Sequence, residues 1–274
     1  MTKPNQSIKP AKRYFARITD LAATDSQIGA LAPKMEIREA AFASDLTLDK
    51  VMAVYFDGYG ERPALGKRAY KIRTNSDHKK VRHYLPAYEM ITYRTLHNRI
   101  KALAMAWRTH PFCRVSREQF VCMIGFSSID LATIDMACAY AKAITVPLQS
   151  STSGADLSEI FSNVEPAVLA TTLNDLPLAV EHAIQQSSIK SVLVFNYDER
   201  ADDEKIMVEN AKARLKDTDI NLISIDELIA FGAQKTFSFL PVEAGENEKM
   251  AAILHSSGST GKPKGAMISA KAIM

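Results

Sequence analysis

Long hydrophobic runs are missing from this sequence. Its polar start, Met1-Thr2-Lys3-Pro4-Asn5-Gln6-Ser7, leads into no uninterrupted apolar segment, so neither a secretory signal nor a membrane span is expected. Cysteine is scarce as well: Cys113, Cys122 and Cys138 stand far apart, outside any Cys-x-x-Cys pair or Cys/His cluster. That spacing argues against a disulfide framework or a zinc site and fits a reducing cytoplasm. Neither sign of charge dominates, because 34 Lys and Arg oppose 31 Asp and Glu for a net charge of +3. Without a strong field, nucleic acid and membrane are not expected partners. No internal repeat is visible, and the chain is too apolar for a disordered or collagen-like class.

What is present is the composition of a globular protein with a large core: 274 residues, 47% of them hydrophobic and 24% charged. Residues 1–12 read as a flexible tail, since Pro4 and Pro10 flank polar residues with nothing to bury. Tyr14, Phe15, Ile18 and Leu21 then recur at helical spacing, and a second short helical pattern runs through Ile28 and Leu31 to Pro33. Residues 1–45 are therefore expected to be a tail and a small helical extension. A helix through Leu48, Val51, Met52 and Tyr55, with Thr47 or Asp45 as its cap and Gly58 near its end, opens the main body, 46–274.

Between Ala64 and Tyr93 the period shifts toward two. Segments 69–73 and 81–85 bracket Thr74-Asn75-Ser76-Asp77, the pattern of a hairpin with a polar turn. Lys67, Arg68, Lys71, Arg73, Lys79, Lys80 and Arg82, interleaved with Tyr70 and Tyr84, have the residue types of a nucleic-acid track. A solvated hairpin face is the plainer account, since no other basic patch joins them. His78 and His83 lack the Cys or carboxylate partners of a metal site.

From Thr92 onward helical and β-rich segments alternate. Thr92 can cap a helix that buries Leu96, Ile100, Leu103 and Trp107. Strands are expected at 120–124, 144–148, 167–171, 191–196, 220–223 and 250–254, with helices at 130–143, 155–163, 176–185, 204–215 and 226–231. Such alternation implies βαβ crossovers: an α/β fold, a mainly parallel sheet with helices on both faces. Ligands of these sheets bind beyond the carboxyl ends of the strands.

At the end of the last of these strands stands His255-Ser256-Ser257-Gly258-Ser259-Thr260-Gly261-Lys262-Pro263-Lys264-Gly265. Glycines let successive N–H groups turn toward one anion, and hydroxyls and two lysines add donors and positive charge, so the segment suits a polyphosphate. It is not a Walker A loop: Ser256 stands where the first glycine belongs and Pro263 where Ser or Thr belongs. From Ser256 to Gly265 it resembles, at every position, the Ser/Thr-rich signature of the adenylate-forming enzymes, which include acyl-CoA synthetases, luciferases and the adenylation domains of peptide synthetases and carboxylic acid reductases. Further segments, among them Ile18-Thr19-Asp20-Leu21, Arg62-Pro63-Ala64-Leu65-Gly66, Ile91-Thr92-Tyr93-Arg94, Gly125-Phe126-Ser127-Ser128-Ile129-Asp130 and Val146-Pro147-Leu148-Gln149, are similar to the N-terminal part of the carboxylic acid reductases.

The resemblance implies an incomplete N-terminal domain of the adenylate-forming fold. It also implies a reaction in which a carboxylate attacks the α-phosphate of ATP, releasing pyrophosphate and forming acyl-AMP. In the family this precedes reduction to an aldehyde. ATP and a small carboxylic acid are the implied partners, and Mg²⁺ the implied cofactor. Phosphopantetheine and NADPH belong to the family's carrier and reductase domains, which, with the later adenine, ribose and lysine motifs, are not found in these residues. By the resemblance Ser256, Ser257, Ser259 and Thr260, with the N–H groups of Gly258 and Gly261, hold the β and γ phosphates. Lys262 or Lys264 adds charge, Pro263 fixes the turn and Gly265 permits close backbone approach. His255 stands where an aromatic residue is frequent; it either touches substrate or packs at the strand end. No catalytic residue is assigned. Ser127-Ser128 and Ser150-Ser151-Thr152-Ser153 read as helix caps, with no Gly-x-Ser-x-Gly elbow around them. The chain alone is expected to be inactive. An acyl-CoA ligase fragment and a non-catalytic truncated remnant are the alternatives.

Overall fold

The computed structural model describes residues 8–43, 45–257 and 263–274, without the side chains of 8–15 and 257. The chain divides into two compact units between Ser44 and Asp45. The first contains three helices, α1 (Ile8–Thr24), α2 (Ser26–Leu31) and α3 (Met35–Ala41). Asp25 separates α1 from α2, and its carboxylate accepts from the N–H groups of Gln27 (2.9 Å) and Ile28 (3.1 Å). Residues 8–12, expected in the tail, are helical, because α1 begins at Ile8; residues 1–7 lie outside the described residues. Pro10 falls in its first turn, where an N–H has no intrahelical partner and a fixed φ suits the helix. The third helix went unread: only Ile37 and Ala41 are buried, too few for a periodic signal.

The second unit opens with α4 (Leu48–Gly58) and a long antiparallel hairpin, β1 (Pro63–Thr74) and β2 (Lys80–Thr92). Then come α5 (Tyr93–Thr109), β3 (Phe120–Ile124), α6 (Ile129–Ala141), β4 (Ile144–Leu148), α7 (Gly154–Val164), β5 (Val168–Thr172), α8 (Leu176–Gln185), β6 (Ser191–Phe195), α9 (Asp202–Leu215), β7 (Asn221–Ser224) and α10 (Ile225–Ala233). The chain closes with β8 (Met250–Ser257), β9 (Pro263–Ser269) and α11 (Ala270–Ile273). Among the described residues the main sheet has the order β7-β6-β5-β3-β4-β8-β9, parallel throughout except for β9.

Alternate side chains of each strand feed two cores. Val121, Met123, Val168, Ala170, Leu193 and Phe195 meet α5, α6 and α10 through Ile100, Leu103, Trp107, Ile134, Tyr140 and Leu228. Cys122, Ile124, Val146, Leu169, Val192 and Val194 meet α7, α8 and α9 through Leu157, Phe161, Val180 and Val208. Burial on both faces accounts for the unbroken apolar runs of these strands. The α/β fold with a mainly parallel sheet covered on both faces is what the structure shows.

One element differs from the expected loop. Pairing of β8 with β9 runs from Met250↔Ser269 to Ser257↔Pro263, so Ser256, Ser257, Pro263, Lys264 and Gly265 are strand residues. Pro263 is the first residue of β9; at that position of an edge strand its missing N–H disrupts little of the ladder. Gly258, Ser259, Thr260, Gly261 and Lys262 lie outside the described residues.

Candidate functional site

The site begins with a change of direction at the sheet's carboxyl edge. The chain leaving β3 enters α6 on one face, and the chain leaving β4 enters α7 on the other. A crevice opens where neighbouring exits diverge, the place where α/β sheets bind ligands. Here it is a cleft of about 730 Å³. Its floor is apolar, from Met123, Leu131, Pro147 and Leu148. Its polar wall is Gln149, Ser151, Thr152, Ser153 and Asp156, and facing them are Leu254, His255, Ser256 and Pro263 of the β8–β9 hairpin.

Each wall has a local cause. Ser153 caps α7: its Oγ accepts from Asp156 N–H at 3.1 Å and donates to Asp156 Oδ2 at 2.7 Å. Ser128 caps α6 in the same way, accepting from Leu131 N–H at 3.0 Å, so both serines do what the sequence implied. Gly125, at the exit of β3, tolerates no side chain: a Cβ there would stand 2.8 Å from Thr172 Cγ2 and 2.9 Å from Phe195 Cζ. A Cβ on Gly265 would stand 2.7 Å from Ile253 Cγ2 and 3.1 Å from His255 Nε2. The glycine thus lets the His255 ring lie across the adjacent strand.

His255 is half-buried, and Nδ1 has no hydrogen-bond partner among the described residues. Burial pushes the imidazole pKa down, which keeps the ring neutral at pH 7. Asp156 carries the one formal charge among the described residues lining the cleft.

Of the residues the motif singled out, His255 and Ser256 line the cleft with Pro263, while Lys264 is exposed and pairs in register with Ser256. Gly265 pairs with His255. The side chain of Ser257 and the five residues 258–262 are not described. Sequence reasoning missed Gln149, Asp156 and the apolar floor. The available signal was position, the first residues after a buried strand, but Ser150–Ser153 read only as a cap.

The sequence profile of the family described as AMP-binding enzyme matches residues 69–274. The chain belongs to this family. Its curated relatives include a carboxylic acid reductase of Mycobacterium tuberculosis, 34% identical over 264 residues, and one of Segniliparus rugosus, 33% identical over 265 residues. These matches take in 96% and 94% of this chain but 22% of each relative, so the chain spans about a fifth of their length. Among solved structures it is similar to the A domain of the Segniliparus rugosus carboxylic acid reductase, determined with AMP and a co-purified carboxylic acid. That likeness has a TM-score of 0.86 at 31% identity and covers 93% of this chain and 41% of the other. An anthranilate CoA ligase, at 15% identity and a TM-score of 0.58, shares the fold.

Proposed function

We propose that this AMP-binding chain serves the ATP-dependent activation of a carboxylic acid. A carboxylate oxygen attacks the α-phosphorus of ATP, the bond to the bridging oxygen breaks, pyrophosphate leaves with the electron pair, and acyl-AMP forms. The observation that carries this reading is the placement of the Ser/Gly/Lys motif: the strands that flank it form one side of a hydroxyl-rich cleft at the carboxyl edge of the sheet. Support also comes from the Segniliparus rugosus A domain, which holds AMP and a carboxylic acid.

In this reading the hydroxyls of Ser256, Ser257, Ser259 and Thr260 and the N–H groups of Gly258 and Gly261 hold the β and γ phosphates, with charge from Lys262 and Lys264. Each charge-assisted bond contributes about 1.5–3 kcal/mol. Together they stabilise the charge that develops on the leaving pyrophosphate. The neutral ring of His255 offers one hydrogen bond on the substrate side. Mg²⁺ would neutralise charge on the phosphates, and Asp156, the carboxylate on the polar wall, is the residue that would help to hold it there. In a protein as long as the relatives, acyl-AMP would pass to a phosphopantetheine carrier and be reduced with NADPH.

The 274 residues supply one side of this site, so nucleotide binding with little turnover is the expected behaviour. Calorimetric titration with ATP and Mg²⁺, paired with ATP–pyrophosphate exchange over aliphatic and aromatic acids, tests both parts. Absence of nucleotide binding overturns the nucleotide reading. Efficient exchange by the isolated chain overturns only the claim of low turnover.

A further inference from the structure

We infer that Asp175 is a positioning residue for the nucleotide cleft, acting through the wall that follows β4. This rests on the nucleotide reading above. Asp175 occupies the N-cap position of α8, where an Asp ordinarily accepts from N–H groups of its own helix. Its side chain makes no such bond. Instead, one oxygen, Oδ2, accepts from Ser150 Oγ at 2.8 Å and from Thr172 Oγ1 at 2.9 Å.

The two donors belong to different parts of the fold. Thr172 is the last residue of β5, fixed in the sheet by pairing with Phe195 of β6. Ser150 lies within the segment 149–153, whose Gln149, Ser151, Thr152 and Ser153 face the cleft. Ser150 is absent from that lining because its hydroxyl is turned the other way, onto Asp175. Other bonds of the segment are local: Thr152 N–H donates to Gln149 O at 3.0 Å and Ser151 Oγ to Gln149 Oε1 at 3.3 Å. The shared carboxylate oxygen is therefore a rigid tie from the centre of the sheet to the polar wall. Groups that contact a ligand are only as well placed as the shell that holds them. The helix gives up a capping bond to make that tie.

The test is titration of the 274-residue chain with ATP and Mg²⁺, for the wild type and for Asp175→Ala, Asp175→Asn and Ser150→Ala. An Asn side-chain oxygen accepts the same two hydroxyl bonds, whereas Ala accepts none. The expected result is affinity weakened about tenfold in Asp175→Ala, restored to within about twofold of wild type in Asp175→Asn, and lowered several-fold in Ser150→Ala. A structural defect alone would not be reversed by Asn while the thermal midpoints of the two Asp175 variants stay alike. Should Asp175→Ala fail to fold, the half-exposed Ser150→Ala variant carries the test. Wild-type affinity in Ser150→Ala or Asp175→Ala, or equal weakening in Ala and Asn, overturns the positioning role while leaving the nucleotide reading intact. A wild type that binds no ATP overturns the reading first, and the inference with it.

Discussion

Lys142 shows how much one buried side chain holds. It follows α6 in the left-handed conformation at φ 59°, and its Nζ reaches Asp49 Oδ1 at 2.6 Å, with the two side chains 8% and 1% exposed. Thr47 Oγ1 donates to the same Asp49 oxygen at 2.5 Å. Glu246, bonded by Arg117 Nη1 at 3.1 Å, lies 3.9 Å from Lys142 and brings in the segment before β8. Removing one member strands a charge out of water. Lys142→Met is expected to lose about 3–5 kcal/mol of unfolding free energy in urea denaturation, and adding Asp49→Asn to recover part of it. None of this was legible. The sequence extended the helix to 143, because a left-handed cap advertises itself through Gly or Asn and not through Lys. Gly265 and His255 were each legible as special positions, but their relation was not: a Cβ on Gly265 would press on Ile253 and on the His255 ring.

At the scale of elements, the β1–β2 hairpin is the clearest case of a correct shape with an unread partner. Its turn is held by Asn75 Oδ1, which accepts from Asp77 and Lys79 N–H groups, both at 3.0 Å. Several of its basic residues are not free. Arg82 Nη2 meets Glu204 at 2.6 Å, Lys79 Nζ meets Asp203 at 3.0 Å, and Lys80 N–H donates to Asp202 at 2.7 Å, all within the first turn of α9. Acidic residues there also suit the positive end of the helix dipole. Such pairing, more than 120 positions away in sequence, has no local signal. Tyr70 Oη donates to Asp198 Oδ2 at 2.9 Å, and the Arg200 side chain and N–H, with that hydroxyl, hold the Asp198 carboxyl well below the usual carboxylate range. A folded-state value below the unfolded one contributes stability that is full above about pH 5 and is lost as pH falls through about 4 and lower. Amide protection factors across β1–β2, with the pH dependence of the intrinsic exchange rate divided out, should therefore fall between about pH 5 and pH 3 in the wild type, and Asp198→Asn should flatten that dependence.

For the whole molecule, the order of helices and strands was readable because buried strands and amphipathic helices carry different periods, but the lateral order of the sheet was not. The first three residues of β9, 263–265, were absorbed into the motif and the rest were left unassigned, so an entire edge strand went unseen. Met267 stands 75% exposed on that edge strand, and Leu254 is 49% exposed on the adjacent β8. Unprotected edges pair with other chains. Met267→Lys is expected to lower concentration-dependent self-association, measured by sedimentation velocity, without moving the thermal midpoint. Among the described residues no helix is long and apolar enough to cross a membrane. The strand order carries one more consequence, in time. β4 ends at Leu148 and β8 begins at Met250, yet the two are neighbours, and β5, β6 and β7 are laid down on the opposite flank in between. A contact of such long sequence separation closes late, because the loop must be gathered before any pairing rewards it. The hairpin that bears the motif is therefore expected to join a sheet already assembled, and on the proposed nucleotide reading a ligand that needs both walls of the cleft would bind only after the last strand has docked and would then hold it there by mass action.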